Sequence, residues 1–194
     1  MKQYYYLCLI FVFCMSCHDD IVPKPKGYLR LEYPTPNYIK ANIDDIPFSF
    51  EISALTNKVT SKKLTSTTES YGINIEYSKL KGTIYLTYKS IDNNSDNLND
   101  FLRDAQNFTQ KHTSKADEIK ETEYINKLNK VYGMFYEIGG NAASQSQFYV
   151  TDSTKHFLTG SLYFYAKPNY DSILPAAKYL EKDIKHIMET VKWK

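Results

Sequence analysis

Lys130–Pro168, KVYGMFYEIGGNAASQSQFYVTDSTKHFLTGSLYFYAKP, decides the fold. Tyr132, Met134, Tyr136 and Ile138 alternate with Val131, Gly133, Phe135 and Glu137. After a Gly139-Gly140-Asn141 turn, Phe148 and Val150 alternate with Gln147, Tyr149 and Thr151. A polar Asp152-Ser153-Thr154 turn follows. His156, Leu158, Gly160, Leu162 and Phe164 then share one face, and Phe157, Thr159, Ser161, Tyr163 and Tyr165 take the other. Period-two alternation of aromatic and β-branched residues between Gly and Asx turns predicts three antiparallel strands in a meander.

Upstream, Phe48–Ile52 alternates as a strand, and Gly72–Tyr77 with Thr83–Tyr88 makes a hairpin around Lys79–Gly82. Lys58–Ser70 and Ser90–Asn97 read as polar loops, and the Asp92–Asp96 cluster supplies a helix N-cap. Leu98, Phe101, Leu102, Ala105 and Phe108 form one apolar helical face that ends near His112. Ile119–Leu128 is ambiguous between strand and helix. In the last helix Ile173, Ala177, Leu180, Ile184, Ile187, Met188 and Val191 form a continuous stripe. Asp171 or Ser172 would cap it, with Pro175 in the first turn, Glu181 paired to Lys185, and Lys192 and Lys194 at the negative end of the dipole. Each helix has a single apolar stripe and needs a sheet to cover. The expected fold is therefore α+β: an antiparallel sheet of about six or seven strands with two amphipathic helices packed on it.

Met1–Gln3 is a short basic start, and Tyr4–Met15 is an apolar run. The run is too short for a spanning helix, which needs ~20 residues, and it has the form of a secretory signal over residues 1–16. The three cysteines, Cys8, Cys14 and Cys17, all lie in this region. Ser16-Cys17 resembles the end of a bacterial lipobox, with Cys14 standing where Leu is usual. Cys17 is accordingly the expected lipid-attachment residue, held by acyl chains that anchor stably only when two or more are present. Five of the seven prolines (Pro23, Pro25, Pro34, Pro36 and Pro47) follow. Residues 17–27 read as an extended tether, Tyr28–Tyr33 as an edge strand, and residues 28–194 as a single domain.

Lys plus Arg number 24 against 22 Asp plus Glu, with the signs interspersed, so the electrostatic footprint of a nucleic-acid binder is missing. No phosphate loop, GxSxG, HExxH, CxxC or EF-hand spacing occurs, and no cofactor or metal is expected. His18, His112, His156 and His186 read as surface or capping residues. Ser153, His156 and Asp152 are too close in one turn to serve as nucleophile, base and orienter. The eighteen tyrosines suit half-buried sheet faces. A Tyr-rich sheet surface that binds glycan or peptide is the alternative functional reading.

PKPKGYLRLEYP (Pro23–Pro34), HTSKAD (His112–Asp117), Lys130–Phe164 and KDIKHIMETVKWK (Lys182–Lys194) resemble the gliding-motility lipoprotein D family, GldD, of Bacteroidota. The resemblance implies a cell-envelope lipoprotein required for gliding and type IX protein secretion. Its partners would be other proteins of that machinery, with no catalytic residues to carry over and the acylated cysteine falling on Cys17. The expected location is the outer membrane with a periplasm-facing domain; Asp19-Asp20 after Cys17 keeps surface export open.

Overall fold

The computed structural model describes residues 32–111, 115–165 and 170–194. Cys17, His18 and His112 lie outside them, as does most of the expected strand Tyr28–Tyr33, whose described residues Glu32 and Tyr33 are not in a strand. The elements in order are β1 (Tyr38–Lys40), β2 (Phe48–Ser49), β3 (Glu51–Ser53), β4 (Lys58–Lys63), β5 (Ser70–Tyr77) and β6 (Gly82–Ser90). Helix α1 (Ser95–Gln110), β7 (Ala116–Asn126), β8 (Val131–Gly140), β9 (Ser144–Thr151) and β10 (His156–Phe164) follow. The chain closes with α2 (Tyr170–Thr190) and β11 (Lys192–Trp193).

Seven strands form one antiparallel sheet in the order β4-β5-β6-β10-β9-β8-β7. The hairpin β5–β6 builds one half. Helix α1 then carries the chain to the far edge, and the meander fills the sheet back toward β6. Asx chemistry fixes the turns. Asn94 accepts a bond from Asp96 N–H at 2.8 Å and caps α1. Asp152 Oδ1 accepts from the backbone N–H groups of Thr154, Lys155 and His156 at 3.0, 2.8 and 2.8 Å, turning β9 into β10.

The period-two pattern gives the sheet one aliphatic face and one face of mixed aromatic and polar side chains. One face brings Ile73, Ile75, Ile84, Leu86, Val131, Phe135, Val150, Leu158 and Leu162 against Leu180, Ile184, Ile187 and Met188 of α2. Each such side chain contributes about 1.5–3 kcal/mol by leaving water. The other face seats α1, with Phe101 against Ile91 and Phe157. Gly133 is required where β8 meets β9, because a Cβ there would collide with the Tyr149 carbonyl oxygen.

Several expectations are corrected. Lys58–Lys63 is not loop but edge strand β4, paired to β5 from Lys58↔Glu76 to Lys63↔Tyr71. Its Lys, Ser and Thr residues bury little, which is how an edge strand avoids pairing with other chains. Of Ser90–Asn97, Ser90 closes β6 and residues 95–97 open α1, so only residues 91–94 are loop; β8 runs on through Gly139 and Gly140, where Gly140 adopts φ +86°. Residues 116–126 are strand β7. The Phe48–Ile52 strand is broken at Phe50. Asp171 and Ser172 are helical residues of α2, with Asp171 in its first turn, and Pro175 lies inside the helix rather than in that turn. Glu181 pairs with Lys178 at 2.8 Å, not with Lys185. The helix stops at Thr190, and Lys192 and Trp193 leave it as a strand against Ser49 and Phe48. Lys194 Nζ donates to the Ile46 carbonyl at 3.0 Å rather than serving the helix dipole.

Candidate functional site

Two features stand out: a cleft beneath α1 and the open edge of β7. Along most of the sheet face opposite α2, the side chains are aromatic or hydroxylic. Tyr85 and Thr87 come from β6, Tyr136 from β8, Gln147 and Tyr149 from β9, and Thr159, Ser161 and Tyr163 from β10. Helix α1 covers one end of this face with Phe101, Ala105, Phe108 and Thr109. A cleft of about 290 Å³ remains between them.

Its floor holds two aromatic pairs. The Tyr149 and Phe157 rings stack at 5.8 Å with planes 8° apart, and Tyr85 meets Tyr163 edge-on at 5.8 Å and 74°. At the mouth, Lys89 Nζ sits 4.5 Å from the Phe101 ring centroid and 3.8 Å from Asp104 Oδ2. At the inner end Thr109 Oγ1 lies 3.0 Å from Gln147 Oε1 and 3.2 Å from the Ala105 carbonyl. Gln147 is 3% exposed, and its Nε2 is buried with no hydrogen-bond partner among the described residues. That is a costly arrangement in a closed core.

The cleft phenols stay protonated throughout the physiological range. Burial first, and then the nearby Tyr149 and Glu121, push Tyr136 up to about 12. The hydrogen bond with Tyr165, followed by burial, pushes Tyr85 up to about 12. Burial likewise raises Tyr149 and Tyr163. These groups act through hydrogen bonds and ring faces.

The second feature is β7. It ends the sheet, and among the described residues no strand pairs with its outer side. Asp117, Glu118, Glu121 and Glu123 give it an acidic, solvated surface, with Ile125 54% exposed and Leu128 in the next turn 92% exposed. Two apolar side chains beside an edge that no strand among the described residues pairs are what an added strand or segment would use.

The two histidines among the described residues, His156 and His186, both have structural partners. His156 Nδ1 lies 2.9 Å from Tyr88 Oη, and its ring stacks on Trp193 at 5.0 Å. Burial of the ring lowers its pKa, opposed in part by Asp152. Asp152 itself is held below the usual carboxylate value: burial would raise it, but the backbone N–H donors of the turn outweigh that. Ser153 is exposed at φ +67°, so Ser153, His156 and Asp152 form a turn and not a nucleophilic centre. His186 Nε2 contacts Glu51 Oε2 at 2.8 Å. Among the described residues no three His, Cys, Asp or Glu side chains are grouped to hold a metal, and no helix is long and apolar enough to cross a membrane.

Sequence reasoning anticipated the Tyr-rich face but missed Gln147, Lys89 and Asp104. One signal was available: Gln145 and Gln147 are polar residues within a strand that the pattern places in the middle of the sheet.

Neither a curated protein nor a solved structure matches the chain significantly. The family profile described as gliding motility lipoprotein GldD matches residues 18–193. By that match the chain belongs to the gliding motility lipoprotein GldD family.

Proposed function

We propose that this envelope-anchored gliding-motility lipoprotein works without catalysis, as an accessory of the gliding and type IX secretion apparatus. It acts by protein–protein contact. The observation that carries this reading is the free edge of β7 with Ile125 and Leu128 exposed beside it, in a chain of a gliding lipoprotein family. The partner is another protein of the same machinery, engaged along that edge. Acyl chains on Cys17 would confine the domain near the membrane, raising its effective concentration for neighbouring components. An outer-membrane anchor with the domain facing the periplasm suits such a role.

Deletion of the gene tests the reading. The expected result is loss of colony spreading together with loss of secreted proteins from the medium. A deletion strain that glides and secretes normally would overturn it.

A further inference from the structure

We propose that the cleft beneath α1 is a saccharide-binding site that takes a neutral pyranose ring at the end of a glycan. The volume, about 290 Å³, lies at the lower limit of the ~300–1,000 Å³ usual for small-molecule sites and suits one ring rather than an extended chain.

The chemistry of the walls selects the ligand. Tyr149, Phe157, Tyr85 and Tyr163 give the floor aromatic faces, whose negative quadrupole attracts the slightly positive C–H groups on the apolar side of a sugar. Thr87, Thr159 and Ser161 add hydroxyls between the rings. Gln147 asks for a polar partner at the inner end. Thr109 has one hydroxyl proton and two acceptors within reach, the Ala105 carbonyl and Gln147 Oε1. With the amide as found, Nε2 is left over as a donor. Rotated by half a turn, the amide donates to Thr109 and leaves Oε1 over as an acceptor. A sugar hydroxyl both donates and accepts, so it satisfies either orientation.

Other ligand classes fit less well. An acyl chain would fill the aromatic space but leave the Gln147 amide unpaired in a dry site. With Lys89 beside Asp104, the mouth offers neither an anion nor a cation an unpaired counter-charge. The paired charges leave the entrance near neutrality, which favours an uncharged polyol.

The test uses the full chain in phospholipid nanodiscs, titrated calorimetrically with neutral hexasaccharides of glucose, mannose, galactose and N-acetylglucosamine, and separately with dodecanoate. Saturable binding of at least one hexasaccharide is expected. Gln147→Met should weaken it about fivefold or more, the loss of one buried hydrogen bond. Ala105→Trp, which fills the cleft from the helix, should abolish it. Hydrogen exchange on the unsubstituted chain is an independent readout: the sugar should protect the segments around residues 101–109 and 147–163. No binding by any hexasaccharide, binding by dodecanoate alone, protection elsewhere, or unchanged binding in a folded Ala105→Trp protein would each overturn the proposal.

Discussion

Tyr38, on the short strand β1, donates a hydrogen bond at 3.0 Å to Asp183 on α2, 145 residues along the chain. The Tyr38 ring also stacks on His186 at 3.6 Å with planes 11° apart. Residues 34–38 are thereby clamped to the final helix, and Tyr179 Oη reinforces the clamp by donating to the Pro34 carbonyl at 3.0 Å.

Asp183 is 1% exposed, and its Oδ2 makes no well-formed hydrogen bond. Burial raises its pKa, and the Tyr38, Tyr77 and Ser53 hydroxyls soften the charge only in part. The folded carboxyl therefore keeps a proton that the unfolded chain has lost. Its contribution to stability is full below about 3.8 and is lost as pH rises through the folded value. Asp183→Asn should flatten that decline, read as the urea midpoint between pH 4 and 7. Asp183→Ala, which strands the Tyr38 hydroxyl, should cost about 1–3 kcal/mol at pH 7.

His156 gives the opposite slope. Its folded pKa lies below its ordinary 6.5, so the unfolded chain binds a proton that the fold refuses. Stability from this group is present above pH 6.5 and falls as pH drops toward the folded value. In His156→Phe the loss of urea midpoint between pH 7.5 and 5.5 should be smaller than in the unsubstituted protein.

Gly133→Ala should destabilise by about 1–3 kcal/mol or more, because its methyl meets backbone, which cannot step aside. Gly139→Ala is the control. A Cβ there finds nothing closer than 3.7 Å, and thermal melts should separate the two variants clearly.

Cys17→Ala should move the protein from the membrane pellet to the soluble fraction, read by immunoblot after fractionation. Retention in the pellet after a carbonate wash would argue against acylation as the anchor.

The meander and the β5–β6 hairpin were legible because burial on a pleated sheet imposes period two, and Asp152 and Asn94 announce the turn and the cap. Strands β4 and β7 were not. Lys62, Lys63, Glu121 and Glu123 bury no face, so an edge strand writes almost no hydrophobic pattern. Pro175 was misplaced because α2 already begins at Tyr170. The cleft was only half visible. Its aromatic floor follows from strand alternation, but the Lys89–Asp104 and Gln147–Thr109 contacts form only through the path of α1 across the sheet.

Contact along β7 as the working principle is tested most directly by returning an Ile125→Lys/Leu128→Lys double variant to a deletion strain. Both side chains are exposed, so stability should stay within about 0.5 kcal/mol of the parent. At equal abundance and equal membrane attachment, the variant should fail to restore colony spreading and secretion. Full restoration of both by the variant would contradict the account.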